Sequence, residues 1–253
     1  MCRVRLGNGR RLTRQKGTAM NFRSLVATDV WHDLVDRGHR RIYTCKSVLL
    51  SQGESPDCVI ALVDGLVKVT QSNESGDELI LMLRGPGEVL GEMGALLGRT
   101  RSATVTAVHR CTTSVLPAHA FRHFVERHHL ERAIYELTVD RLNNHERLRA
   151  DLLHLPPAGR LARVVSVLAD EVGQPQGPTD LLVELGMARP ELAMMASMSR
   201  SSALAALSAL QSAGILTLGR RHLIIKDVAR LKAVARGAQP PGGISHRDGA
   251  PTA

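Results

Sequence analysis

The sequence predicts an α+β chain in two parts. An antiparallel β barrel or jelly roll comes first, and a helix-turn-helix with a β-hairpin wing comes last, joined by a long helix. Three observations carry this. Between 41 and 116, short β-rich runs (VLL, CVIALV, LVKVT, ELILML, ATVTAV, TTSVLP) alternate with the turn signals QGES, VDG, NESGDE and RGPGE, the rhythm of an antiparallel barrel. From 118 to about 155 the composition favours helix, with no internal Gly or Pro. Residues 189–214 read as helix, break, helix, followed by ILTLGRRHLIIKD, two short strands about a Gly-Arg-Arg turn.

A chain of 253 residues has room for two cores, and 43% apolar with 23% charged residues is a globular balance. No apolar run reaches the roughly 18 residues that span a bilayer. The start, MCRVRLGNGRRLTRQKG, has no apolar stretch behind its basic residues and is not a secretory signal. Cys2, Cys45, Cys58 and Cys111 are scattered without cluster spacing, which points to reduced thiols and a cytoplasmic location. The net charge of +9 is uneven: +6 in residues 1–20, −1 in 21–155, +4 in 156–236 and zero in the last 17. A basic C-terminal part suits nucleic acid. The basic leader is not counted toward that, because Met20 is an alternative start.

In order, residues 1–23 are the basic leader. Residues 24–40 predict an amphipathic helix on Leu25, Val30, Trp31, Leu34 and Val35, opening a first domain that runs to 128. Gly53, Gly65, Gly76, Gly85 and Gly87 fall at its turns. A bend near His128-His129 divides the helical stretch, and 129–155 forms a long helix. Its stripe of Ile134, Leu137, Leu148 and Leu152 is expected to make a dimer seam or to pack on the chain's own barrel. Pro156-Pro157 stops it, and 156–236 forms the second domain. There 158–172 is helical, GQPQGPTD is a loop and LLVELG a strand. Pro190 and Glu191 start one short helix, and Ser199 caps the next. The Pro/Gly-rich tail 237–253 reads as disordered.

Two places carry chemistry. In GEMGALLGRTRSAT, the triplet Arg101-Ser102-Ala103 begins nine residues after Glu92 of the Gly91-Glu92 pair. An acid and an arginine at that distance either form an ion pair or grip opposite ends of one polar ligand. In the second helix after Ser199, Ala203, Ala206, Leu207 and Leu210 face inward, leaving Arg200, Ser201, Ala205 and Ser208 outward. That small outer face fits a major groove about 12 Å wide. Arg200 is placed to read guanine, and Arg220 and Arg221 in the wing turn to meet phosphate. His119 and His123 share a helical face near His128-His129, but no cysteine or paired carboxylate completes a metal set, so a solvated face is the better reading. No nucleophile elbow, HExxH or P-loop is present, which argues against an enzyme.

Residues 41–236 resemble the Crp/Fnr family of bacterial transcription regulators. The likeness rests on YTCKSVLLSQGES, GEMGALLGRTRSATVTA, the long helix before PPAGRLA, and ARPELAMMASMSRSSALAALSALQSAGIL. It implies a cyclic-nucleotide-binding jelly roll, a long dimerisation helix and a winged helix-turn-helix. By resemblance, Glu92 accepts from a ribose hydroxyl, and Arg101 pairs with a cyclic phosphate. Ser102, Ala103 and backbone amides near Gly91 complete the cradle, while Arg141, His145 and Glu146 face the base. The DNA-reading set is Ser199, Arg200, Ser201, Ser202 and Ala205, with Arg220 and Arg221. Cyclic AMP is the leading effector, with cyclic GMP, another nucleotide or no ligand as alternatives. Metal, haem and iron–sulfur cluster are not expected.

Departures from the family pattern bear on both sites. The span from Glu92 to Arg101 is one residue short, His145-Glu146 stand where a Thr-Ser pair contacts adenine, and Ser197 replaces a turn glycine. Ser201 and Ala205 stand where a glutamate and a second arginine are usual. Expected partners are double-stranded DNA, a second copy of the chain and RNA polymerase, with no membrane. The rivals are an effector-independent regulator with a vestigial pocket, and a cyclic-nucleotide module acting on a protein partner.

Overall fold

The computed structural model describes residues 20–74, 76, 78–186 and 188–240. The leader 1–19 and most of the tail fall outside it. Two short helices open the chain, α1 (Phe22–Leu25) and α2 (Thr28–Arg37). The single amphipathic helix expected over 24–40 is therefore broken. Val26 and Ala27 are extended there, and Asn21 caps α1 through its bond from the Ser24 amide at 2.9 Å.

The β domain follows as β1 (His39–Tyr43), β2 (Val48–Leu50), β3 (Cys58–Asp64), β4 (Val67–Ser72), β5 (Glu78–Arg84), β6 (Val89–Leu90), α3 (Glu92–Leu97), β7 (Thr104–Ala107) and β8 (Cys111–Pro117). Its strands form two antiparallel four-stranded sheets, ordered β1-β8-β3-β6 and β2-β7-β4-β5. Strand β3 is almost wholly buried because it is central in its sheet and packed on both faces. One core, with Tyr43, Leu50, Ile60, Leu62, Val67, Leu90 and Val105, lies between the sheets. A second joins Val59, Ala61 and Leu116 to Phe22, Trp31 and Leu34.

Helix α4 (Ala118–His128) ends at His129, whose φ of +52 turns the chain into α5 (Glu131–His154). The expected apolar stripe of α5 turns inward. Ile134 and Leu137 join the β-domain core, Leu152 the C-terminal core, and Leu148 packs partly against the latter. The large apolar side chains left exposed on α5 are Tyr135 at 69%, Leu142 at 57% and Leu153 at 76%.

After Pro156 come α6 (Pro157–Val172), β9 (Gln174–Gln176), β10 (Asp180–Glu184), α7 (Arg189–Met195), α8 (Arg200–Ser212), β11 (Leu216–Leu218), β12 (His222–Ile225) and α9 (Val228–Val234). The wing sheet is larger than the expected hairpin, with order β11-β12-β10-β9. Gln174–Gln176, expected in a loop, becomes its edge strand by pairing with Asp180–Leu182, a position where Pro175 is tolerated. Leu66, Ile80, Leu83 and Val108 of the β domain share one core with Leu161, Val165, Leu192, Leu207 and Leu231, so the C-terminal domain is packed onto the β4–β5 side of the β domain.

Candidate functional site

Strand β6 ends at Leu90, and the next residue, Gly91, caps α3 in the left-handed region at φ +80. A Cβ at Gly91 would lie 2.3 Å from Arg101 Nη1 and 3.0 Å from Leu50 Cδ1, so both the backbone and the space require glycine. The next residue, Glu92, is buried at 6% exposure, as is Arg101. They do not pair. Nη1 of Arg101 donates to the Gly91 carbonyl at 2.7 Å, and its Nη2 donates to the Cys58 carbonyl. Among the described residues, no carboxylate neutralises this guanidinium.

Glu92 takes its cation from the long helix instead. Arg141 Nη1 donates to Glu92 at 2.7 Å, and Arg141 Nη2 donates to Glu88. Glu88 also lies 3.6 Å from Arg84, whose Nη1 meets Glu171 of α6 at 2.5 Å. Burial pushes the Glu88 carboxyl above its ordinary value, against the pull of Arg141 and Arg84. Burial also works against the charge on Arg141, but Glu92 and Glu88 outweigh it. The Nε of Arg141 is buried with no hydrogen-bond partner among the described residues.

Arg84, Glu92, Arg101 and Arg141 line a cavity of about 280 Å³. Leu50, Val69, Leu81, Met82, Leu90 and Val105 form its apolar wall. Its polar lining is Arg84, Glu92, Arg101, Ser102, Arg141 and His145. A mostly apolar hollow with a few convergent charges is the usual form of a small-molecule site. His145, half-buried beside Arg84 and Arg141, is held below its ordinary pKa, first by burial and then by those two cations. Of the residues expected here, Gly91, Glu92, Arg101, Ser102, Ala103, Arg141 and His145 line the cavity; Glu146 is exposed and does not. Arg84, Glu88 and Glu171 were not foreseen. Arg84 stands out only as a charge ending the apolar run ELILML, and its partner Glu171 lies 87 positions away.

The second expected site lies on α7 and α8. The Ser199 hydroxyl caps α8, accepting from the Ser202 amide at 3.2 Å and bonding the Ser201 and Ser202 hydroxyls. Ala203, Ala206, Leu207 and Leu210 are buried, and Arg200, Ser201, Ala205 and Ser208 are exposed. Leu204, at 39%, adds an apolar contact to that outer face. Ser197, in the turn before α8, adopts φ +51 without being glycine. Arg220 and Arg221, between β11 and β12, line a second cavity of about 510 Å³ with Lys46 and Lys68 of the β domain. No group of three or more metal-ligating side chains occurs among the described residues. His128 of the histidine cluster instead meets Asp33 at 3.1 Å and stacks on Phe124. No described helix is long and apolar enough to cross a membrane.

A β domain enclosing a polar-ended cavity, a long helix forming one wall of it and a winged helix-turn-helix beyond define a ligand-controlled DNA-binding regulator. Residues 40–128 match the cyclic nucleotide-binding domain family, and residues 159–234 match the Crp-like helix-turn-helix domain family. The chain belongs to the Crp/Fnr family of transcription regulators and is not an enzyme. It is 28% identical over 198 residues to the cyclic AMP receptor protein of Thermus thermophilus, covering 78% of this chain and 88% of that one. It is 24% identical over 189 residues to a CRP-like cAMP-activated global transcriptional regulator of Mycobacterium tuberculosis, covering 74% and 84%. Among solved structures, FixK2 from Bradyrhizobium japonicum matches with a TM-score of 0.68 at 18% identity, covering 79% of this chain and 98% of that one, a likeness of fold.

Proposed function

We propose that the cavity binds a small anionic effector, with cyclic AMP the first candidate, and that the effector controls DNA binding by a homodimer. The observation that carries this is the buried Arg101 guanidinium, held by two carbonyls and neutralised by no carboxylate among the described residues. A buried cation without a counter-charge is unfavourable, and a phosphate diester supplies both the charge and a bidentate acceptor. Glu92 across the cavity accepts from a sugar hydroxyl, and the unpartnered Nε of Arg141 offers a further donor. Arg101 turns from its carbonyls to the ligand, and neutral His145 meets the base.

The exposed face of α8 enters the major groove. Arg200 reads guanine, Leu204 and Ala205 suit thymine methyls, Ser199 and Ser202 orient the helix start, and Arg220 and Arg221 meet phosphate. Tyr135, Leu142 and Leu153 on α5 form the dimer face, which sets two recognition helices about one DNA turn apart. A cytoplasmic location and contact with RNA polymerase belong to the same reading.

Calorimetric titration with cyclic AMP and then cyclic GMP, on the natural chain and on Arg101→Ala, tests the effector site. Micromolar binding lost in the variant is expected. No heat from either nucleotide favours an effector-independent regulator with a vestigial pocket. DNA binding is read separately: log affinity for duplex DNA falls linearly with log salt, and Arg200→Ala costs about 1–3 kcal/mol on the operator. A flat salt response favours instead a module acting on a protein partner.

A further inference from the structure

The chain of charges does not end at the cavity. From Glu92 it passes through Arg141, Glu88 and Arg84 to Glu171, in the last turn of α6. Two described ion pairs join the β domain to the C-terminal domain, Arg84–Glu171 at 2.5 Å and Lys68–Glu191 at 2.9 Å, and His109 Nε2 lies 2.9 Å from Glu184. Only the first includes a residue that lines the effector cavity. It is also the most enclosed, with side-chain exposures of 6% and 11%, where a charge pair is least screened by solvent.

We infer that Arg84 carries the state of the cavity to the C-terminal domain, an inference that rests on the cavity being the effector site. The Arg84–Glu171 pair holds the C-terminal domain against β5. An acceptor atom of an occupant at that end of the cavity competes with Glu171 for the same guanidinium. Glu88, shared with Arg141, keeps Arg84 at the cavity wall whichever partner it takes. Losing the pair exposes Glu171 as an uncompensated carboxylate at a packed interface, which loosens the contact. In the docked arrangement Arg220 and Arg221 line one cavity with Lys46, Lys68 and Glu191, of which Lys68 and Glu191 pair at 2.9 Å. Undocking lets α8 and the already exposed wing arginines move relative to the β domain and settle on DNA. Arg84 is therefore a positioning residue, acting on DNA through α6.

The test uses the full chain and two variants, Glu171→Gln and Arg84→Met, each keeping side-chain size while removing one charge. The reciprocal swap Arg84→Glu with Glu171→Arg is the rescue. Affinity for a fluorescein-labelled 40-base-pair mixed-sequence duplex at low salt, without effector, is read by anisotropy, and amide exchange is followed in α6. Each single variant is expected to bind DNA about ten-fold more tightly and to exchange faster over 168–172, while the swap returns both toward the natural chain. Added cyclic AMP is expected to raise the affinity of the natural chain but not that of Glu171→Gln. Wild-type affinity and exchange in Glu171→Gln overturn the inference, even if Arg84→Met fails to fold. So does an undiminished cyclic AMP response in that variant. Absence of any nucleotide heat, with the ten-fold rise retained in Glu171→Gln, counts against the effector reading and leaves the docking contact supported.

Discussion

Glu92 and Arg141 meet at 2.7 Å at the cavity wall, so the acid of the GEMGALLGRTRSAT segment is held by the long helix, not by the arginine nine residues on. Arg101 is left with the carbonyls of Gly91 and Cys58. That exchange of partners leaves the cavity lined by one cation without a carboxylate partner among the described residues and by a separate network of charges.

The position of Arg101 depends on Gly91. In Gly91→Ala the new methyl meets Arg101 Nη1 at 2.3 Å on a backbone at φ +80, whereas Gly98, at φ +64, has nothing within 4 Å. Gly98→Ala is expected to cost only the left-handed backbone penalty, about 1–2 kcal/mol. Gly91→Ala should cost more and also weaken cyclic AMP binding. Denaturant midpoints and calorimetry on the pair decide this; equal losses in both would show that the contact with Arg101 is unimportant.

His145 makes stability depend on pH. Burial, Arg84 and Arg141 hold its folded pKa below the ordinary 6.5, so the unfolded chain takes up the proton first. Its contribution is therefore present above about pH 6.5 and declines as pH falls below that value toward the folded pKa. Thermal melts at pH 7.5 and 5.5 should show a smaller drop for His145→Gln than for the natural chain. An identical drop would rule His145 out as the source.

The exposed Tyr135 and Leu142 on α5 predict where the dimer forms. Leu142→Asp is expected to give a folded monomer by sedimentation equilibrium, with an unchanged far-ultraviolet dichroism spectrum. Asp at the buried Leu137 should instead unfold the β domain, since Leu137 is 1% exposed. A dimer persisting in both Leu142→Asp and Tyr135→Asp would move the seam elsewhere.

Ser197 sits at φ +51 between α7 and α8, a conformation that costs a non-glycine residue about 1–2 kcal/mol, partly offset by the entropy of a glycine replacement. Ser197→Gly should raise stability by about 0.5–1 kcal/mol without altering DNA affinity. A lower melting temperature would mean that the serine is held by more than the turn.

What the sequence by itself determined was local. Strand rhythm, turn glycines, the Pro156-Pro157 stop, the Ser199 cap and the inward face of α8 all follow from neighbours a few positions apart, whose periodicity and backbone preferences are written in order along the chain. The short strand Gln174–Gln176 escaped, because its pairing with β10 and not its own composition made it. The motif segment identified five of the cavity's residues and the family resemblance two more, Arg141 and His145, but not who pairs with whom. That was decided by packing. The choice of Glu92 for Arg141, the turning of Ile134 and Leu137 inward, and the meeting of Arg84 with Glu171 each join residues 49 to 87 positions apart or set one helical face against another. A buried charge takes whichever counter-charge the fold brings within reach, and sequence separation carries no trace of that distance.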